Sequence, residues 1–146
     1  MATITNQARI TYSYGAVNAA AASNIATATL TEPLTGSKTS LGSTYTAGDE
    51  ITYILSLTNG SATAATDITV NDNLGRSTAG GATYTPLSYV GPAYLYINGV
   101  YTSELTPATT AGSLIFTLPS IPAGANAVII YKAALTSEAP LTSGST

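Results

Sequence analysis

Apolar residues recur at every second position along most of this chain, and that period restricts what it can fold into more than any other feature. In YTAGDEITYILSLTNGS, Ile51, Tyr53, Leu55 and Leu57 alternate with Thr52, Ile54, Ser56 and Thr58 up to an Asn59-Gly60 turn. Residues two apart share one side of an extended strand, so this run offers a single face to a core. DITVNDNLG does the same with Ile68, Val70 and Asp72 and stops at Gly75. In YLYINGVYTS the Asn98-Gly99 dipeptide sits between two apolar, aromatic runs, which is the sequence of a tight hairpin. SLIFTLPSIPAG and NAVIIYKAALT supply two more strands, with Pro119 and Pro122 in the connection.

No segment sustains a helical period. AVNAAAASN is short and Ala-rich and lies between the strand-like runs ITNQARITYSYG and NIATATLTE, so it is expected to be a loop. RSTAGGATY, residues 76–84, is expected to be a mobile loop. The sum is about eight or nine short strands, which predicts an all-β, antiparallel β-sandwich of immunoglobulin-like architecture.

Composition narrows the function. The 146 residues suit one domain. Only 8% are charged, against roughly 25% in an average soluble domain, and Thr, Ser, Ala and Gly take their place. The chain has neither Cys nor His. It therefore lacks the commonest general base, the commonest zinc ligand and any Ser-His-Asp or Cys-His arrangement, and no cofactor is expected. The four cations Arg9, Lys38, Arg76 and Lys132 are scattered in a chain of net charge −3, which disfavours nucleic acid as a partner. Every apolar run is interrupted well short of the ~20 residues that span a bilayer, so no membrane span is expected. The opening MATITNQ lacks a basic region followed by an apolar one, so no signal peptide is visible. A Thr-rich, charge-poor, cysteine-free chain points to the outside of a bacterial cell or spore.

The opening strand poses a puzzle. Ile4, Asn6, Ala8, Ile10 and Tyr12 share one face, which is apolar except for the amide in its middle. A buried amide without partners costs ~1–3 kcal/mol. Either Asn6 ties down a neighbouring loop by hydrogen bonds, or it has a chemical role.

From Lys38 to Leu135, a Lys opening, a G-D followed by an apolar-T-Y strand, T-N-G, V-x-D, and a late P-A-G before an apolar strand and Tyr occur in that order. This order resembles the repeat domain of large bacterial surface proteins known as domain of unknown function eleven, although Leu74-Gly75 stands where the family has L-P. In that family a last strand reading I-T-N-x-A-x-apolar follows the C-terminal tail. Here the tail YKAALTSEAPLTSGST is not followed by such a strand, and ITNQARITY stands at the front instead. The resemblance implies a sandwich body at 33–146, incomplete, with a donor strand or hairpin at 1–32 that completes another copy. Head-to-tail donation of this kind generates an open homopolymer.

In bacterial stalk domains, to which this chain is similar, a Lys on the first strand and an Asn on the last form an isopeptide bond. An amine attacks a carboxamide while an acid polarises the carbonyl, and burial favours the neutral forms of both groups. The resemblance puts Lys38 at the position of the opening Lys and Asn6 on the last strand, with Asn24 in SNIATATL as the alternative acceptor. Asp72 has the parity to be the proton donor, or it only caps the turn before Gly75; Asp67, Asp49 and Glu50 are weaker candidates. The expected function is a structural subunit of an extracellular filament, not an enzyme beyond one autocatalytic turnover. Its partners would be copies of itself and a surface anchor protein. The competing expectation is a closed monomeric sandwich that binds carbohydrate or a host surface through Tyr94, Tyr96 and Tyr101.

Overall fold

A computed structural model describes residues 2–30, 32–110 and 112–142. Positions 1 and 31 of the expected donor segment and the last four residues of the C-terminal tail lie outside the described residues. The chain divides into two compact units, Met1–Glu32 and Pro33–Thr146.

The first unit is a hairpin of β1 (Thr3–Tyr14) and β2 (Val17–Thr29), joined by a two-residue turn with Gly15 at φ +60°. From Val17 onward AVNAAAASN is thus strand and not the expected loop. Alanine is a weak strand former by itself, but pairing along the whole of β1 overrides that preference. The register explains the run: Ala28, Ala26, Ala21 and Ala19 stand opposite Ile4, Asn6, Ile10 and Tyr12, so small residues on one strand sit beside large ones on the other. The ladder slips between Gln7 and Arg9, where Ser23 and Asn24 bulge from β2 opposite Ala8. Ser23 ties the bulge down, its Oγ accepting from the Ala8 amide at 2.9 Å and its carbonyl from Gln7 Nε2 at 2.8 Å.

The second unit holds ten strands: β3 (Leu34–Ser40), β4 (Glu50–Asn59), β5 (Ile68–Asp72), β6 (Ser77–Ala79), β7 (Ala82–Tyr84), β8 (Leu87–Ile97), β9 (Val100–Leu105), β10 (Ala108–Thr110), β11 (Ser113–Leu118) and β12 (Asn126–Leu135). Among the described residues the chain has twelve strands, more than expected, and no helix. RSTAGGATY is not a featureless loop. Gly80 and Gly81, both at positive φ, close the β6–β7 hairpin, as a primed turn requires. The Asn98-Gly99 turn between β8 and β9 is as expected, with φ of 49° and 78°.

All pairings are antiparallel. One sheet runs β3-β4-β12-β8-β9 and the other β10-β11-β5. They share one core: Leu55, Leu95, Ile129 and Tyr131 of the larger sheet and Leu114, Phe116 and Leu118 of the smaller are buried together. The Phe116 and Tyr131 rings, one from each sheet, lie 5.2 Å apart. This arrangement is consistent with a β-sandwich. Each such side chain contributes about 1.5–3 kcal/mol by leaving water, which is where the stability of this unit resides.

Coverage of the core is uneven. The inward residues Ile51, Tyr53 and Leu57 of β4 and Leu34 of β3 are only half buried, as is Val70 of β5. The smaller sheet has three strands and ends at β5, the larger has five and ends at β3, and the half-buried inward residues of the larger sheet lie on its β3 and β4. Among the described residues no helix is long and apolar enough to cross a membrane.

Candidate functional site

Lys38 and Asp72 meet where the edge strands β3 and β5 of the two sheets approach each other. Lys38 stands opposite Leu55 in the β3–β4 register and so shares its inward side, and Asp72 closes the inward row Ile68, Val70, Asp72 of β5. Lys38 Nζ lies 2.6 Å from Asp72 Oδ2. The partners differ in exposure, 35% for the Lys38 side chain and 4% for that of Asp72. A cavity of about 500 Å³ opens here, lined by Lys38, Leu55, Val70, Asn71, Asp72 and Asn73.

Asp72 also caps the turn: its Oδ1 accepts from the Leu74 amide at 2.8 Å, with Leu74 at φ +52°. The turn-capping role expected of Asp72 is thus present. Tyr131, buried on β12, donates its hydroxyl to the Oδ2 that Lys38 contacts. Tyr53 stacks on Tyr131, ring centroids 5.6 Å apart, and Lys38 Nζ sits 4.3 Å from the centre of the Tyr53 ring, within cation–π range. Burial pushes the Tyr53 phenol above its ordinary range; the Lys38 charge opposes that shift and the Asp72 charge adds to it.

The other acids are elsewhere. Asp49 Oδ2 accepts from the Thr46 amide at 2.7 Å, Glu50 lies 3.7 Å from Lys132 in an exposed pair, and Asp67 is exposed beside Thr66. Among the described residues no group of three or more His, Cys, Asp or Glu could hold a metal ion.

Asn6 and Asn24 belong to the hairpin unit. Asn6 lies in a regular part of the ladder opposite Ala26, and Asn24 at the bulge; both are exposed. Within the hairpin no described residue hydrogen-bonds the Asn6 carboxamide. Loop-tying by a core amide does occur in this chain, but at Asn59. That side chain is 1% exposed, its Nδ2 donates to the carbonyls of Thr63 and Ile121 at 2.9 and 3.0 Å, and its Oδ1 accepts from Ser61.

Around Asn6 the hairpin is two-sided. Ile4, Ala8, Ile10, Tyr12 and Tyr14 share their face with Val17, Ala19, Ala21, Ala26 and Ala28, and Asn6 is its one polar member on β1. The opposite face of β1 carries Thr3, Thr5, Gln7, Arg9, Thr11 and Ser13. The large apolar side chains stay in water, Ile4 at 74% and Tyr14 at 62% exposure.

Sequence reasoning missed Tyr131 and Tyr53. The alternation in NAVIIYKAAL and EITYILSL places both inward, but only the packing of β12 and β4 beneath β5 brings their rings to the Lys38–Asp72 pair. Tyr94, Tyr96 and Tyr101 form a separate cluster on β8 and β9, with centroids 5.8 and 6.4 Å from Tyr101. Comparison with protein-family models, curated proteins and solved structures finds no match.

Proposed function

We propose that this chain is a structural subunit of an extracellular filament, in which the hairpin of one copy completes the body of the next and an isopeptide bond between Lys38 and Asn6 locks the joint. One observation carries this reading. A hairpin with an exposed apolar face occurs in the same chain as a body whose sheets have five and three strands, with a Lys–Asp pair joining the edge strand β3 of the one to the edge strand β5 of the other. A five-stranded sheet opposite three strands becomes five opposite five when two are added. The completed body would have the immunoglobulin-like architecture suggested by the likeness to bacterial surface-repeat domains. That likeness and the charge-poor, Thr-rich composition support a place outside the cell or on a spore, with a surface anchor protein as the further partner.

The chemistry follows from the pair. An incoming apolar face displaces water from Lys38 and Asp72, and a dry site disfavours separated charges. The Lys38 proton passes to Asp72, and the neutral amine attacks the Asn6 carboxamide carbon. Asp72 gives its proton towards the departing nitrogen and recovers the one the amine loses. A C–N bond to Lys38 forms, the original C–N bond breaks, and one ammonia leaves. Tyr131 holds Asp72 in place throughout. The reaction happens once per joint, so the chain is not an enzyme in the turnover sense.

The test is to assemble purified protein, image it in negative stain and boil it in detergent. Fibres with a ladder of multimers, each link lighter by one ammonia, are expected, with a peptide joining the Lys38 and Asn6 segments after digestion. Fibres that dissolve wholly to monomer of unmodified mass would remove the bond from the proposal. Monodisperse particles at high concentration would remove the filament. They would favour a closed monomer binding carbohydrate through the partly exposed Tyr94 and Tyr101.

A further inference from the structure

We infer that the acceptor is the free edge of β5, that β1 of a second copy pairs with it antiparallel, and that Asn6 of that copy stands directly opposite Asp72. This inference rests on the filament reading above and names the edge and register through which it operates.

The body offers two free edges near the cavity, β3 in the larger sheet and β5 in the smaller. A strand added to β3 would lengthen the sheet that is already in excess. Added to β5, it extends the three-stranded sheet at the edge where Lys38 of β3 meets Asp72, beside residues of β3 and β4, Leu34, Tyr53 and Leu57, that are only half buried.

Direction follows from the length of β5. This strand has five residues and is bounded by Asp67 at φ +54° and by the Asn73–Gly75 turn with Leu74 at φ +52°. A parallel β1 with Asn6 at Asp72 would have only its first residues on β5, and the rest would run past the turn. An antiparallel β1 lays Asn6 to Ile10 along all five residues.

Register follows from the side chains. With Asn6 opposite Asp72, Ala8 meets Val70 and Ile10 meets Ile68, so apolar faces apolar on the inward side. Ile4 then reaches the level of buried Leu74. On the outward side Gln7 meets exposed Asn71, and Arg9 meets Thr69 with Asp67 one diagonal step away, which puts opposite charges within reach. A slip of two residues would put Ile4 against Asp72 and Asn6 against Val70. A slip of one would turn the whole apolar face to solvent.

A cysteine-free chain makes this testable by disulfide trapping. Directly opposed strand residues have Cα atoms ~4.5–5.5 Å apart, within disulfide reach, whereas diagonal neighbours at ~7–8 Å are not. The parent is the full chain with Asn6→Ala, which removes the isopeptide acceptor and leaves any ladder sensitive to reductant. Three pairs are placed at outward positions: Gln7→Cys with Asn71→Cys for the inferred register, Gln7→Cys with Thr69→Cys for the two-residue slip, and Gln7→Cys with Ser37→Cys for the β3 edge. The reduced proteins are first shown to unfold like the parent. On mild oxidation the first pair should give a reductant-sensitive ladder of multimers, with at least about tenfold less from the other two. A dominant ladder from the second pair overturns the register, and one from the third overturns the edge. A disulfide confined to monomer in the first pair overturns exchange between copies. Fibres in negative stain without a ladder from any pair overturn this interface and leave the filament standing, whereas loss of both fibres and ladders overturns the filament reading itself.

Discussion

The hairpin and the body use one pattern to opposite effect. Along β12, Ala127, Ile129, Tyr131 and Ala133 alternate with less buried residues, and all four are shielded by the facing sheet. Along β1, Ile4, Ala8, Ile10 and Tyr12 alternate with Thr, Gln and Arg just as regularly, and every residue of the strand is exposed. The pattern states which face seeks burial; only a second layer supplies it. A two-stranded hairpin is marginal alone in water, and the apolar face of β1 and β2 is not buried within their own unit. The body has inward residues of β3 and β4, among them Leu34, Tyr53 and Leu57, that its own packing leaves half buried.

The sharpest break of this comparison is removal of one side of it. Deleting residues 1–31 should leave the 33–146 body cooperatively folded, since its core contains no hairpin residue, and should abolish fibres completely. Circular dichroism on heating and negative stain read the two outcomes, and equal fibres from the truncated chain would end the donor role of β1.

Next in size is a charge on either face of the hairpin. Ile10→Asp should weaken assembly by about 100-fold or more, because it forfeits ~1.5–3 kcal/mol of apolar burial and adds the desolvation of a carboxylate. Thr5→Asp, on the polar face, should change the critical concentration by less than about threefold, as surface substitutions usually do. Light scattering against concentration compares them, and equal losses from both would show that the faces are equivalent.

A third set separates strand pairing from chemistry. Lys38→Ala and Asn6→Ala should abolish the detergent-resistant ladder and still allow weaker, detergent-sensitive fibres, since backbone pairing does not need those side chains. Asp72→Ala should prevent the bond and also destabilise the body by ~1–3 kcal/mol, because the Leu74 amide and the Tyr131 hydroxyl lose their acceptor. Tyr131→Phe should slow the ladder and cost about 1 kcal/mol. Gel densitometry over time and chemical denaturation measure the pair of effects, and a Tyr131→Phe ladder at the parent rate would deny that residue its positioning role.

The smallest effect is on alkaline stability. The Tyr53 phenol is raised above 10.0 in the fold, chiefly by burial, so the folded chain holds this proton more tightly than the unfolded one. Its contribution is fully present below pH 10.0 and is lost as pH rises through the raised value. Tyr53→Phe should therefore flatten part of the fall in melting temperature above pH 10.0, and an unchanged slope would place the alkaline sensitivity elsewhere, for instance at Tyr89, which burial and Glu104 also raise.

Much of the fold was legible because strands report themselves locally. Two-residue alternation placed β4, β5, β11 and β12, and Asn98-Gly99 placed the β8–β9 turn. Where local signals were weak, partners decided: the Ala-rich stretch became β2 because β1 pairs with it, and Gly80-Gly81 made a hairpin from an expected loop. The site was half legible for the same reason. Parity put Asp72 on the inward side of its strand and left Asn6 alone among apolar neighbours. The 2.6 Å approach of Lys38 to Asp72, the Tyr131 hydroxyl on the same oxygen and the Tyr53 ring beneath the ammonium depend on how β3, β4, β5 and β12 stack. Alternation along a chain determines which side of a strand each residue takes. Which strands face one another, and which end of a sheet is left uncovered, is set by the packing of residues distant in sequence, and only the tertiary structure carries that information.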